Sequence, residues 1–169
     1  MRLFAVRRFL ILVFLLGAWS CAKAPQAVNP YFEMPPEHLL ISERKLFSLA
    51  LQQKRNNKLK SSIGLWTRFL ENNPRSFRGY NNLGMVYYAN GQLSLALAAF
   101  ENGLDLEPFD QKIKENLKRT LRFQVTLLRE NKDYDTAIQS LKRIAKLSEE
   151  PERKKVVLQI QTMVNNIFE

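Results

Sequence analysis

The sequence predicts an all-α chain whose helix hairpins stack into a short solenoid, and three observations carry that expectation. From Leu39 onward apolar residues recur at helical spacing, as in Leu39, Leu46, Leu49 and Ala50, and again in Ile113, Leu117, Leu121, Val125 and Leu128. No stretch alternates with period two for long enough to suggest a strand. A self-similarity with a period of 34 residues runs through the middle of the chain, as expected for stacked units of one supersecondary motif.

The first residues stand apart from that pattern. "MRLFAVRR" is positively charged, and "FLILVFLLGAW" (Phe9 to Trp19) is uncharged and apolar. Such a run, at about 1.5 Å per residue, falls short of a bilayer core of about 30 Å. With small residues flanking Trp19, residues 1–20 read as an export signal, an uncleaved N-terminal anchor being the alternative. Cys21, the one cysteine of the chain, follows directly. This placement resembles a bacterial lipoprotein signal peptide. The resemblance implies lipidation of Cys21 with diacylglycerol and acyl chains such as palmitate after cleavage before it. It also implies a lipid-anchored protein of the bacterial cell envelope. Ala22 rather than Asp after Cys21 implies the periplasmic face of the outer membrane. Cleavage after Ser20 by the general signal peptidase is the rival reading.

Residues 21–38 are expected to form a lipidated N-terminus and tether, because Pro25, Pro30, Pro35 and Pro36 interrupt a stretch without hydrophobic periodicity. Tyr31 and Phe32 are expected to pack on the first helix, with docking of a partner as the alternative. The one cysteine excludes an internal disulfide framework, and with a single histidine (His38) there is no zinc ligand set. No Gly-rich phosphate loop or nucleophile elbow occurs, so the expectation is a protein that is not an enzyme and uses no cofactor, metal or catalytic residue.

The helical part, residues 39–168, divides into units at about 43–76, 77–110 and 111–150, closed by a capping helix over 151–168. In the middle unit Tyr80, Leu83, Gly84, Tyr87, Gly91, Leu93, Ala96, Phe100, Gly103, Leu104 and Pro108 are spaced as in a helix hairpin. Small residues at Gly84 and Ala96 let the paired helices approach, large ones fill the space between units, and "NGQ" makes the turn. Shifting back by 34 residues places Leu46, Leu49, Ala50, Asn57, Leu59, Ser62, Trp66, Leu70 and Pro74 on the same pattern, with mismatches of Gln53 against Tyr87 and Phe69 against Gly103. In the third unit Tyr134, Ala137, Leu141, Ile144 and Leu147 recur 41 residues on instead of 34. The surplus predicts a longer first helix from Gln111 to Glu130 with Asp110 as its N-cap. Gln124 and Val125 replace the Leu-Gly pair, which predicts looser packing within that unit. Val156, Val157, Ile160, Met163, Val164 and Ile167 give the last helix one apolar face.

Residues 77–110 resemble a tetratricopeptide repeat (TPR), and the resemblance extends in degenerate form over residues 39–168. It implies a right-handed α-solenoid that binds an extended peptide along the concave face of the first helices. Carried over by register, the groove positions are Arg44, Phe47, Leu51, Lys54 and Arg55 in the first unit. In the second they are Arg78, Asn81, Met85 and Tyr88, and in the third Arg119, Arg122, Thr126 and Arg129. Arg favours carboxylates and phosphates, so an acidic peptide is the expected guest.

The net charge is +10, with the basic excess in residues 39–76 and 111–169 and an acidic middle unit. The function these features imply is a non-catalytic TPR adaptor lipoprotein of the cell envelope. It would mediate protein–protein interaction or assembly of a pilus, secretion or outer-membrane complex. The alternatives are a polyanion-binding envelope protein using the Arg-rich face, and a regulatory subunit of an envelope enzyme. Export and the lack of an aromatic stacking platform argue against nucleic acid.

Overall fold

Leu40 to Phe168 fold as the periodicity predicts. The computed structural model describes residues 32–37 and 39–168, so Cys21, Tyr31 and His38 lie outside the described residues. Among the described residues there are seven helices and no strand. They are α1 (Ile41–Arg55), α2 (Leu59–Asn72), α3 (Phe77–Ala89), α4 (Leu93–Leu106), α5 (Gln111–Glu130), α6 (Tyr134–Leu147) and α7 (Glu152–Phe168). Neighbours in sequence are neighbours in space: α1 packs on α2, α3 on α4, α5 on α6 and α6 on α7, while α2·α3 and α4·α5 join successive hairpins. The architecture is a short all-α solenoid. No helix among the described residues is long and apolar enough to cross a membrane.

Local sequence sets the helix boundaries. The Ser76 side chain accepts a hydrogen bond from the Gly79 amide at 3.1 Å, and Asp110 Oδ1 accepts one from Ile113 at 2.8 Å. Asp133 does the same for Thr136 at 3.1 Å, each cap being worth about 1 kcal/mol. The three hairpin turns each place one residue in the left-handed region: Asn57, Gly91 and Lys132, with φ of 57°, 75° and 60°. Gly adopts that conformation without cost and Asn tolerates it, whereas Lys carries a steric penalty of about 1 kcal/mol.

Two different devices hold the hairpins. In the first, Phe47, Trp66 and Phe69 are fully buried and meet edge to face, with ring centroids 4.6 to 5.7 Å apart. In the second, α3 lies so close to α4 that a Cβ at Gly84 would stand 2.6 Å from the Phe100 ring. The third hairpin packs α5 on α6 without the Leu-Gly pair. Val125 is buried where the middle unit has Gly84, and the Ser140 hydroxyl donates to Gln124 Oε1 at 3.1 Å where the middle unit has Leu83.

Helix α7 covers α6 with Val156 and Met163 buried. Val157 and Leu49 differ from their expected places on the apolar faces: both are exposed, because each lies at the edge of its stripe. Glu152 ties α7 back to α5. Its carboxylate accepts from Lys118 Nζ at 2.7 Å and from Arg122, and Lys118 also pairs with Glu115 at 2.6 Å. Burial opposes the charge on Lys118, but the two carboxylates outweigh it and hold its pKa above the usual lysine value. The hydrogen bond from Lys118, with help from Ser148 and Arg122, overcomes burial and holds Glu152 below the usual carboxylate value.

Candidate functional site

The first helices of the three hairpins, α1, α3 and α5, carry the residues that register assigned to a groove. The structure sorts all but the exposed Arg55 into four environments. Phe47, Leu51 and Asn81 are corrections: they are buried and line nothing. Phe47 belongs to the aromatic cluster and Leu51 to the core around it. Asn81 accepts a hydrogen bond from Asn116 Nδ2 at 2.7 Å and so joins α3 to α5 beneath the surface. In each case the side chain points toward the neighbouring helix, because a first helix has partners on two sides.

Met85, Tyr88 and Arg119 form a second group. The Arg119 guanidinium lies 5.2 Å from the Tyr88 ring centre and 3.1 Å from Met85 Sδ, and Tyr88 meets Phe123 edge to face at 6.0 Å. Met85 is buried, so this group is a packed joint between α3 and α5 more than a free surface. A third group lies toward α7. Arg122 is paired with Glu152, while Thr126 and Arg129 line an open cavity of about 720 Å³ with Tyr134, Lys155, Leu158 and Met163. Arg55 is exposed.

The fourth group is Arg44, Lys54 and Arg78, and these three converge on the segment Phe32–Glu37. Phe32 is buried, with the Lys54 ammonium 4.6 Å from its ring centre. Burial and then the charge of Arg55 lower the Lys54 pKa from its ordinary value. Asn82 grips the backbone: the Glu33 amide donates to Asn82 Oδ1 at 2.7 Å, and Asn82 Nδ2 donates to the Glu33 carbonyl at 3.1 Å. The Glu33 carboxylate lies 3.1 Å from Lys112 Nζ and 3.9 Å from Arg78 Nε. Arg44 donates to the carbonyl of Glu37. One extended segment thus touches the first helix of every hairpin: α1 through Arg44 and Lys54, α3 through Arg78 and Asn82, and α5 through Lys112.

This arrangement changes the reading of the tether, whose residues 32 and 33 are folded into the solenoid. It also adds Asn82 and Lys112 to the groove. Asn82 neighbours the predicted Asn81, and a one-residue step around the helix, about 100°, carries the site from the buried side to the groove. Lys112 lies at the very start of α5, one residue after Gln111, where no carried-over position fell.

The energetics of the segment are nearly balanced. Burying Phe32 contributes about 2 to 3 kcal/mol, and the two Asn82 bonds add about 1 kcal/mol each. The ion pairs of Glu33 add about 0.5 kcal/mol or less, since Lys112 and Arg78 are about a third exposed. Ordering the backbone costs about 1 to 2 kcal/mol per residue, less at Pro35 and Pro36, whose φ is already fixed. Gains and costs agree to within a few kcal/mol, so the segment is held lightly.

Comparison with known proteins agrees with this fold. Residues 77–110 match the tetratricopeptide repeat family model. The TPR domain of Sgt2 from Aspergillus fumigatus superposes with a TM-score of 0.51 at 17% identity, covering 80% of this chain and 85% of that one. The type III secretion translocator chaperone SycD of Yersinia enterocolitica gives 0.49 at 20% identity, over 78% and 96% of the two chains. The same chaperone in complex with a peptide of the translocator YopD gives 0.47 at 22% identity over the same shares. No curated protein gives a significant match.

Proposed function

We propose that this protein is a non-catalytic adaptor that holds an extended, acidic segment of a partner protein across α1, α3 and α5. One observation carries the reading: Asn82 pairs with both the amide and the carbonyl of a single extended residue, while Lys112 and Arg78 face that residue's carboxylate. Backbone pairing gives affinity for any extended chain, and the flanking cations select an acidic one. The placement of Arg119 and Arg122 favours a peptide over a polyanion. These two, on which an Arg-rich binding stripe would depend, face Tyr88, Met85 and Glu152.

The proposed setting is the bacterial cell envelope, with the solenoid anchored at the periplasmic face of the outer membrane by lipidated Cys21 and serving assembly of an envelope complex. Support comes from the charged start, apolar core and small residues before Cys21. Burial of acyl chains at about 0.8 kcal/mol per CH₂ would make the anchor firm. Two experiments test the proposal. Charge reversal at Arg78→Glu with Lys112→Glu is expected to abolish capture of the partner from envelope extracts at low salt; capture that survives refutes the groove. Cys21→Ser is expected to release the protein from membranes and remove the acyl mass, and retention with unchanged mass refutes the anchor.

A further inference from the structure

Phe32 and Glu33 belong to this chain, yet they occupy the groove as a ligand would. We infer that the segment Phe32–Glu37 is an intramolecular competitor that a partner must displace, and that its chemistry defines the partner: an extended peptide with an aromatic residue directly followed by Glu or Asp. The inference rests on the proposed groove and adds who occupies it and what opens it.

Three features of the geometry argue for a displaceable ligand over a permanent part of the core. First, the contacts are those of peptide recognition. The backbone of one residue is paired on both sides by Asn82, the carboxylate of that residue faces two cations, and the preceding ring lies under a third. Second, the segment makes no regular secondary structure with the helices; residues 33–36 are neither helix nor strand. Third, the hydrogen bonds, ion pairs and cation–ring contact that hold it come from side chains of α1, α3 and α5, and the segment is itself no helix of the stack. Without the segment, Asn82, Arg78, Lys112 and Lys54 would face solvent, where each side chain is readily hydrated.

An attached ligand competes at an effective concentration of about 1 mM for a short flexible connection. A free peptide of the same sequence therefore binds the unchanged chain weakly, and the population of open groove sets its apparent affinity. The experiment compares the unchanged chain with the Phe32→Ala/Glu33→Ala double variant. The probe is a fluorescein-labelled, amidated peptide carrying residues 30–37, followed by anisotropy. The double variant is expected to bind the probe about tenfold more tightly or better. Binding is expected to vanish when Asn82→Ala is added, or when the probe carries Lys at the position of Glu33. Equal affinity for both chains overturns the competitor and leaves the groove standing. No binding to a double variant whose circular dichroism remains helical overturns both. If the double variant does not fold, the unchanged chain labelled with ¹⁵N decides the matter. In about 5 mM peptide, above the effective concentration, the chain's own Glu33 amide signal is expected to move to its free position. A Glu33 signal that stays in place overturns the inference.

Discussion

The two ends of the first-helix face make opposite use of similar residues. At the α1–α3 end, Arg44, Lys54 and Arg78 close on an acidic segment, and Phe32 and Glu33 are almost removed from solvent. At the α5–α7 end, Thr126 and Arg129 border an open cavity of about 720 Å³. The residue types do not explain the difference, since basic side chains occur at both. What differs is a backbone grip. Asn82 holds an extended chain at one end, whereas at the other the basic side chain of Arg122 is engaged by Glu152 from α7. A groove position becomes a binding position when something nearby can satisfy a guest's main chain.

The strongest test of that contrast attacks the scaffold beneath the closed end. Gly84→Val would place side-chain atoms inside the Phe100 ring, and a loss of about 3 kcal/mol is expected from a fit this tight. A urea midpoint equal to that of the unchanged chain would show that α3 and α4 have room to separate. Next comes Asn82→Ala, expected to remove about 2 kcal/mol and to expose the Phe32–Glu37 segment to proteolysis. The signals of α7 should not move. If they do, the two ends are coupled and the contrast is wrong.

Much of the closed end was legible in the sequence, but as a face and not as a site. The spacing of Tyr80, Leu83, Gly84, Ala96 and Phe100 predicted the α3–α4 hairpin, and the 41-residue offset predicted α5 from Gln111 to Glu130. Arg44, Lys54 and Arg78, which register carried over, lie on the side that meets the segment. Register selected Asn81 and not Asn82, because the hydrogen-bond partners that distinguish them lie 35 and 49 residues away in sequence. Phe32 was expected to pack on the first helix and does so beside Lys54, but the proline content of the segment gave no sign that Glu33 is buried as well. A composition of that kind limits secondary structure, not contact with an existing surface.

The open end is probed by smaller effects. Glu152→Gln weakens the tie between α7 and α5, with an expected loss of about 1 kcal/mol, kept low because the Glu152 side chain is about a third exposed. The same tie predicts a pH dependence. The lowered Glu152 contributes above its ordinary pKa of 4.5, and its contribution is lost as pH falls through the folded value. The raised Lys118 contributes below 10.5 and is lost as pH rises through its folded value. The methyl resonance of Met163 should therefore hold steady between about pH 5 and 10 and shift on either side. A shift near neutrality would point to another group. The smallest effect expected is a gain: Lys132→Gly relieves a left-handed Lys in the α5–α6 turn and should add about 0.5 kcal/mol, read from thermal unfolding. A loss there would mean that the Lys132 side chain contributes more than its backbone costs.

The length of α5 has a consequence beyond its own hairpin. It has 20 residues where α3 has 13, so the turn into α6 lies about 10 Å further along the helix axis than a regular repeat would put it. Translational symmetry ends at that point, and a fourth unit of ordinary length would find no matching surface. Solenoids with identical ends can join head to tail into open filaments. Here the longer α5, and the α7 tied to it through Glu152, break the repeat at this end of the described stack.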